Sequence, residues 1–300
     1  MPVLVLLAVA IAAGTAVAMF SLWASRARPG AAAARKAGEV LDERPRLRAI
    51  DRWLDPTVAT GMALTVALVV AVGGGVVLAL LTLLIRSDTD LVQLDRSVAE
   101  WGDTHASPFT HDVLAAISYV GRPSSMAVLA VVFVVVETIR TRDGWIAPFV
   151  LLVLAGNGII TTTIKHLADR VRPDFEAVAA TLGPSFPSGH SSWSAAFLAA
   201  AALVLSRGRS RGRRAALAGT AAALAASVAA TRVLLDEHWL SDVIAGLAVG
   251  WAWFAVCWIA FGGRILRFGA TAEELAKPQP GTTLAAERRN AERPRVVSRR

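Results

Sequence analysis

Long apolar runs dominate the chain, and short polar segments rich in charged residues separate them. The runs lack the two-residue alternation of barrel strands and match the length of bilayer-spanning helices, which satisfy their own backbone hydrogen bonds. They cover residues 3–23, 57–85, 123–139, 145–164, 191–206, 215–235 and 239–262. The pattern predicts an all-α, polytopic membrane helical bundle with seven spans. A separate half-buried helix over 113–120 is predicted directly before the third span.

Charge in the polar segments predicts the orientation, because basic residues collect in cytoplasmic loops of membrane proteins. Segment 25–56 and loop 207–214 are strongly basic, whereas acidic residues outnumber basic ones in segment 86–112. Leu91, Leu94, Val98 and Trp101 of that external segment have helical spacing, which predicts a helix lying along the interface. The alternation places the loops around residues 165–190 and 236–240 outside the cytoplasm.

The same pattern divides the chain into four parts. They are an N-terminal transmembrane anchor (1–24), a cytoplasmic basic linker (25–56), a membrane domain (57–263) and a basic cytoplasmic tail (264–300) predicted to be disordered. The first run lacks the basic residues that precede the apolar core of a signal peptide, which favours an uncleaved anchor. Small residues at 16–18 leave cleavage open.

Composition excludes two other classes. With 55% hydrophobic residues and a mean hydropathy of +0.52, the chain is too apolar for an ordinary soluble domain. The net charge of +8 comes mainly from short loops and tails, where it orients a membrane protein, so no nucleic-acid partner is predicted. Cys257 is the only cysteine, which excludes an intrachain disulfide.

The polar stretch between the fourth and fifth runs carries the first candidate chemistry. Lys165 and Arg172 are seven residues apart, so a continuing helix would point both in the same direction. Pro173 then ends that helix. A Pro/Gly turn over 186–190 follows and delivers His190 to the start of a new helix, where free backbone N–H groups can bind an anion.

A second cluster lies after the sixth run. Arg232 precedes His238 by six residues, and Asp242 follows His238 by four on one helical face. Three cations, two histidines and a carboxylate that can orient one of them suit a phosphoryl group. His105 and His111 have neither a cysteine nor a histidine at metal-binding spacing and are predicted to be surface residues, so no metal site is predicted.

These motifs read K-x6-RP at Lys165, Arg172 and Pro173, PSGH at 187–190, and TR-x5-H-x3-D at 231–242. They resemble the type 2 phosphatidic acid phosphatase (PAP2) family of integral-membrane phosphatases over roughly residues 60 to 262. Thr231 stands where the family usually has Ser, and it keeps the hydroxyl. The resemblance implies a six-span PAP2-like core with an additional N-terminal transmembrane segment.

The resemblance also implies roles. His238 is the nucleophile that forms a phosphohistidine, Asp242 holds its other ring nitrogen, and His190 is the general acid. The phosphate-binding residues are Lys165, Arg172, Ser188, Gly189 and Arg232. No cofactor or metal is implied. Nearby charged residues are predicted to be solvated or to support the site from a second layer: Asp169, Arg170, Asp174, Asp236 and Glu237.

The implied function is a lipid phosphatase of the cell membrane, acting at the extracytoplasmic face on a lipid phosphate or pyrophosphate. Polyprenyl pyrophosphate such as undecaprenyl pyrophosphate, phosphatidic acid and phosphatidylglycerophosphate are the substrate types considered.

A lipid phosphotransferase using the same residues is an alternative. A transporter is disfavoured because the ionisable residues cluster at one face instead of lying mid-span. A haloperoxidase is weakest, since those relatives are soluble. The sequence leaves the lipid, the acceptor and the oligomeric state open.

Overall fold

A computed structural model describes residues 1–26, 60–87, 90–105, 107–173 and 183–265. The predicted basic linker and the predicted disordered tail lie almost entirely outside these ranges. The described residues form nine helices and no strand. In chain order they are α1 (Pro2–Arg26), α2 (Thr60–Arg86), α3 (Asp90–His105), α4 (Pro108–Val120), α5 (Pro123–Thr141), α6 (Ile146–Ala168), α7 (Gly189–Leu205), α8 (Arg211–Leu234) and α9 (Leu240–Ile265).

Six of these helices, α1, α2, α5, α6, α8 and α9, are long and apolar enough to cross a membrane. The remaining predicted span, 191–206, corresponds to α7, a shorter apolar helix of 17 residues. The interfacial stripe of the external segment lies on α3, and the separate helix before the third span is the second half of α4. The all-α membrane bundle is therefore confirmed, including its N-terminal span.

Close backbone contacts hold α7 against α9. A Cβ atom added to Gly246 would lie 2.5 Å from the Ser188 carbonyl oxygen, and one added to Gly250 would lie 2.4 Å from that of Ser192. These distances are shorter than Cβ contacts in proteins, so the two glycines permit the crossing. Small residues four apart are a common device for such approach between membrane helices.

We expect Gly250→Ala to destabilise the protein by about 1–3 kcal/mol, because its methyl group would meet backbone that cannot move aside. Thermal unfolding of the purified protein in detergent would measure the loss. Gly73→Ala on α2 is the matched control, since its added Cβ would enter open space. Equal unfolding temperatures for the two variants would contradict the close crossing.

Glycines also mediate two other helix contacts. A Cβ on Gly219 of α8 would lie 2.6 Å from the carbonyl oxygen of Gly14 on α1. Gly74 of α2 approaches Ala248 of α9 equally closely, whereas Gly73 and Gly75 face open space. The glycine triplet in the second span therefore serves helix packing, through its middle member.

Polar and apolar contacts fix the end of the bundle where the motifs lie. Asn157 Nδ2 donates to Ser192 Oγ at 3.3 Å, and the hydroxyls of Thr161 and Ser192 are 3.0 Å apart, which joins α6 to the first turns of α7. Val98 of α3 packs on a cluster from α8 and α9, and Trp101 packs on a second cluster that includes leucines of α1, α4 and α8. Helix α3 is thereby held across the ends of α8 and α9.

Candidate active site

The motif residues meet at one end of the bundle. Helices α6, α7, α8 and α9 alternate in direction, so the end of α6, the start of α7, the end of α8 and the start of α9 lie together. Lys165 comes from the end of α6, His190 from the start of α7, Arg232 from the end of α8 and Asp242 from the start of α9. His238 lies in the turn between α8 and α9.

His238 is 2% exposed, and both of its ring nitrogens have partners. Nδ1 is 3.3 Å from Asp242 Oδ2, and Nε2 is 3.2 Å from Arg172 Nη1. A carboxylate can only accept and a guanidinium can only donate, so Nδ1 carries the proton and Nε2 accepts. The arrangement selects a neutral imidazole whose Nε2 lone pair faces the guanidinium.

Burial lowers the pKa of His238 to about 4, opposed by the Asp242 carboxylate and assisted by the positive charges of Arg172 and Arg232. The ring is therefore neutral at pH 7 and retains its nucleophilic lone pair. A histidine with this tautomer and an orienting carboxylate is suited to attack an electrophile.

The turn that carries His238 also fixes its distance from Arg232. Asp236 adopts the left-handed conformation with φ 53°, which reverses the chain directly after α8. The backbone N–H groups of Glu237 and His238 then donate to the Arg232 carbonyl at 3.2 and 3.1 Å. Asp242 Oδ2 accepts from the backbone N–H of Trp239 at 3.1 Å, so the same carboxylate begins α9 and orients His238.

The PSGH turn, which carries His190, is hydrogen-bonded to the first turn of α9. The Ser188 N–H donates to the Asp242 carbonyl at 2.9 Å, and the Ser188 side chain caps α7 by accepting from the Ser191 N–H. A Cβ on Gly189 would meet open space. His190 Nε2 is buried and has no hydrogen-bond partner among the described residues. The start of α7 therefore offers an open backbone position and an unsatisfied imidazole nitrogen.

Three cations surround the histidines, each held by neighbouring groups. Lys165 Nζ donates to the carbonyls of Pro184 and Ser185 at 2.6 and 3.2 Å. Arg172 Nε donates to the Gly183 carbonyl at 2.9 Å, and burial lowers the pKa of Arg172. Partly desolvated cations of this kind attract an anion more strongly than solvated ones.

Arg232 is the most buried of the three, with 3% exposure. It donates to the Ser118 hydroxyl of α4 and pairs with the Glu237 carboxylate, while its Nε has no partner within the described part of the chain. Of the two predicted alternatives for Glu237, solvation or support from a second layer, the pairing favours the second. Asp236 is also buried rather than solvated, at 5% exposure.

Two further charged residues complete the site, and the sequence motifs do not include them. Arg170 bridges Asp242 to Asp95 of α3, so Arg170 directly contacts a predicted catalytic residue. The sequence pattern places Asp95 only in the acidic external segment. The sequence does contain a clue to the role of Asp95. This residue falls within the Leu91–Val98 apolar stripe, where a carboxylate must be buried with a partner.

Two other histidines, His105 and His111, stay apart from this cluster. His105 is exposed and stacks on Trp101 with ring centroids 4.7 Å apart, and His111 is also exposed. Both match the prediction of surface residues. Within the described ranges, no group of three or more His, Cys, Asp or Glu side chains is placed to hold a metal ion.

Comparison with known proteins finds a similar family and similar membrane phosphatases. Residues 147–265 match the PAP2 superfamily family model. The chain is 34% identical over 122 residues to the lipid A 1-phosphatase of Rhizobium johnstonii, covering 37% of this chain and 46% of the relative. It is 27% identical over 186 residues to phosphatidylglycerophosphatase B of Bacillus subtilis, covering 60% and 89%. The chain thus spans about half the length of the lipid A 1-phosphatases that it matches.

A solved structure agrees with the sequence comparisons. The fold matches the crystal structure of a transmembrane PAP2-type phosphatidylglycerolphosphate phosphatase from Bacillus subtilis, with a TM-score of 0.60 and 25% identity. The match covers 67% of this chain and 99% of that one. The chain is therefore a multi-pass membrane protein whose residues 147–265 resemble the PAP2 superfamily.

Proposed function

We propose that this protein is a lipid phosphatase that hydrolyses a phosphate monoester or pyrophosphate of a membrane lipid through a phosphohistidine intermediate. The observation that carries the proposal is the state of His238: a buried neutral imidazole whose Nδ1–H is directed at Asp242 and whose Nε2 lone pair faces Arg172. The names of the relatives, a lipid A 1-phosphatase and a phosphatidylglycerophosphatase, support a lipid phosphate as substrate.

In the first step, the Nε2 lone pair of His238 attacks phosphorus, and the bond between phosphorus and the leaving oxygen breaks. Protonated His190 gives its Nε2 proton to that oxygen, so the lipid leaves as a neutral alcohol or, from a pyrophosphate, as a protonated phosphate. Asp242 stabilises the positive charge that develops on the His238 ring.

In the second step, His190 removes a proton from water as the water oxygen attacks the phosphohistidine. The bond between phosphorus and Nε2 breaks, its electron pair returns to His238, and inorganic phosphate leaves. His190 is then protonated again for the next turnover. Its buried Nε2, with no partner among the described residues, suits a group that must contact the substrate.

The transferred group carries about two negative charges near neutral pH. Lys165, Arg172 and Arg232 would neutralise them, and the open start of α7 at Ser188 and Gly189 would add backbone and hydroxyl donors. These cations fill the electrostatic role that magnesium has in many soluble phosphotransfer sites. We therefore propose that the reaction needs no divalent metal.

Phosphate release by purified protein tests the function. We expect hydrolysis of at least one member of a panel of phosphatidylglycerophosphate, phosphatidic acid, lipid A and undecaprenyl pyrophosphate. The activity should persist in EDTA and be blocked by vanadate, which mimics the five-coordinate phosphorus of the transition state. Phosphatase activity that is lost in EDTA and restored by magnesium would contradict a site based on protein cations. Release that requires an added acceptor lipid would indicate the phosphotransferase instead.

We also propose that the site faces away from the cytoplasm. Loop charge supports this orientation: Arg140 and Arg142 lie at the opposite end of the bundle from His238, as does the basic loop 207–214. Membrane lipids and the lipid phosphate would then be the partners on the external side, with the basic tail in the cytoplasm.

Cysteine labelling in intact cells tests the orientation. In a Cys257→Ala background, Val171→Cys should react with an impermeant thiol reagent, because Val171 is 79% exposed beside the site. Ser210→Cys, exposed at the other end of the bundle, is the matched control and should react only after the membrane is opened. The reverse labelling pattern would contradict the proposed face.

A further inference from the structure

Arg170, in the loop after α6, lies between two buried carboxylates from other helices. Its Nη1 donates to Asp242 Oδ1 at 2.6 Å, and its Nη2 donates to Asp95 Oδ2 at 2.8 Å. The Arg170 side chain is only 12% exposed, and the two carboxylates are 1% exposed or less. One guanidinium therefore links α3 to α9 directly behind the proposed catalytic pair.

Ser241 closes the arrangement. Its backbone N–H donates to Asp95 Oδ1 at 2.9 Å, its hydroxyl donates to Asp95 Oδ2 at 2.5 Å, and it accepts from Arg170 Nη1 at 2.7 Å. The residue next to Asp242 is therefore bound to the same two groups. Buried ionic groups are stable only when their hydrogen bonds are satisfied, and this cluster satisfies both oxygens of Asp95.

The backbone around Arg170 joins the remaining motif. The Arg170 carbonyl accepts from the Ser185 N–H at 2.8 Å, three residues before Ser188. The Val171 carbonyl accepts from Trp239 Nε1 at 2.9 Å, and the Arg170 guanidinium lies over the Trp239 ring at 5.5 Å from its centroid. This short segment thus contacts both the loop that leads to His190 and the turn that carries His238.

Asp242 uses its two oxygens for different partners. Oδ1 accepts from Arg170, while Oδ2 faces His238 Nδ1 and accepts from the Trp239 N–H. Without the bond to Oδ1, the carboxylate could rotate about its last torsion and lose the oxygen that holds the Nδ1 proton. Arg170 therefore holds the Asp242 oxygen that does not face His238.

We propose that Arg170, anchored by Asp95, is a positioning residue that fixes the Asp242 carboxylate and, through it, the orientation of His238. The proposal rests on the proposed function, in which His238 is the nucleophile. This role of Asp95 would make the amphipathic helix α3, which carries none of the three motifs, part of the proposed active site.

The two residues have opposite electrostatic effects on His238. The Arg170 cation draws charge from Asp242 and so opposes protonation of His238, whereas Asp95 neutralises Arg170 and so favours it. The other charged or titratable groups facing His238 from the packed elements are Arg172, His190, Arg232, Glu237 and Asp242. Substitutions at Arg170 and Asp95 leave all of these in place.

Rapid-quench measurement of phosphohistidine formation across pH tests the proposal, using the panel lipid that the wild-type enzyme hydrolyses. We expect Arg170→Gln and Asp95→Asn each to lower kcat by about 10–100-fold with little change in KM, as found for groups that orient a reactive side chain. The acid limb of phosphohistidine formation should move to higher pH in Arg170→Gln and to lower pH in Asp95→Asn. Arg170→Lys should restore the pH limb but only part of the rate, since an ammonium cannot bridge two carboxylates in the same way.

Arg96→Gln and Asp103→Asn are the matched controls, because both residues are exposed on α3. Wild-type rates in the Arg170 and Asp95 variants would overturn the proposal, as would shifts of the acid limb in the same direction. If Arg170→Gln fails to fold, Arg170→Lys and the isosteric Asp95→Asn carry the test. A wild-type enzyme that releases phosphate without forming phosphohistidine would instead contradict the proposed function.

Discussion

Replacing His238 with alanine is expected to abolish formation of the phosphoenzyme and to lower kcat by at least about 10⁴-fold, the scale found when a catalytic nucleophile is removed. The variant keeps the cations and so should still bind the lipid. Rapid-quench experiments would detect the intermediate as an acid-labile phosphoramidate in the wild-type protein. No such species should appear in the variant.

His166→Ala provides the matched histidine control, because His166 is exposed near Lys165 at the end of α6. This variant should form the phosphoenzyme at the wild-type rate. An acid-labile phosphoenzyme that persists in His238→Ala would mean that another residue is the nucleophile.

Replacing His190 with alanine is expected to give a loss that depends on the leaving group. The variant keeps the nucleophile but cannot protonate the departing lipid alcohol, which costs roughly 10²–10⁴-fold for general acid catalysis. A nitrophenyl phosphate ester leaves as a stable anion and needs no proton. The loss in the first step should therefore be much smaller on that ester, as the burst of nitrophenol would show.

Lys165→Ala is the comparison for this experiment. If Lys165 binds phosphate as proposed, its loss should lower the rates on good and poor leaving groups by a similar factor. Equal losses for His190→Ala on the two substrates would show that His190 does not protonate the leaving group.

Much of the fold could be predicted because a membrane span must satisfy its own backbone hydrogen bonds, which makes each span a continuous apolar run. The boundaries of α6 and α8 fall within a few residues of the predicted ones. Helix α3 was predicted as an interfacial helix from its stripe. Its placement across α8 and α9 was not, since that depends on contacts such as Val98 with Val233 and Val243.

The candidate site also has a part that local spacing predicts and a part that it does not. Local spacing brings His238, in the turn before α9, within reach of Asp242 in the first turn of that helix. Each motif contributes its own residues to the same end of the bundle. The partners of those residues are distant in sequence: Asp95 is 75 residues from Arg170, and Ser118 is 114 residues from Arg232. Such pairs follow from tertiary packing and leave no spacing to recognise. The apolar surroundings of Asp95 were the available clue.

The short length of α7 has a consequence for the depth of the two histidines that we propose to be catalytic. Seventeen residues span about 26 Å along the helix axis, less than the ~30 Å of hydrocarbon in a typical bilayer. Hydrophobic mismatch of this kind thins the surrounding leaflet or leaves the helix end below the headgroup plane. Because Gly246 and Gly250 hold α7 against α9, we expect its first residue to keep that depth. A lipid could then bring its phosphate to His190 by lateral diffusion while its tails stay in the leaflet, without the cost of about 0.8 kcal/mol per CH₂ for extraction into water.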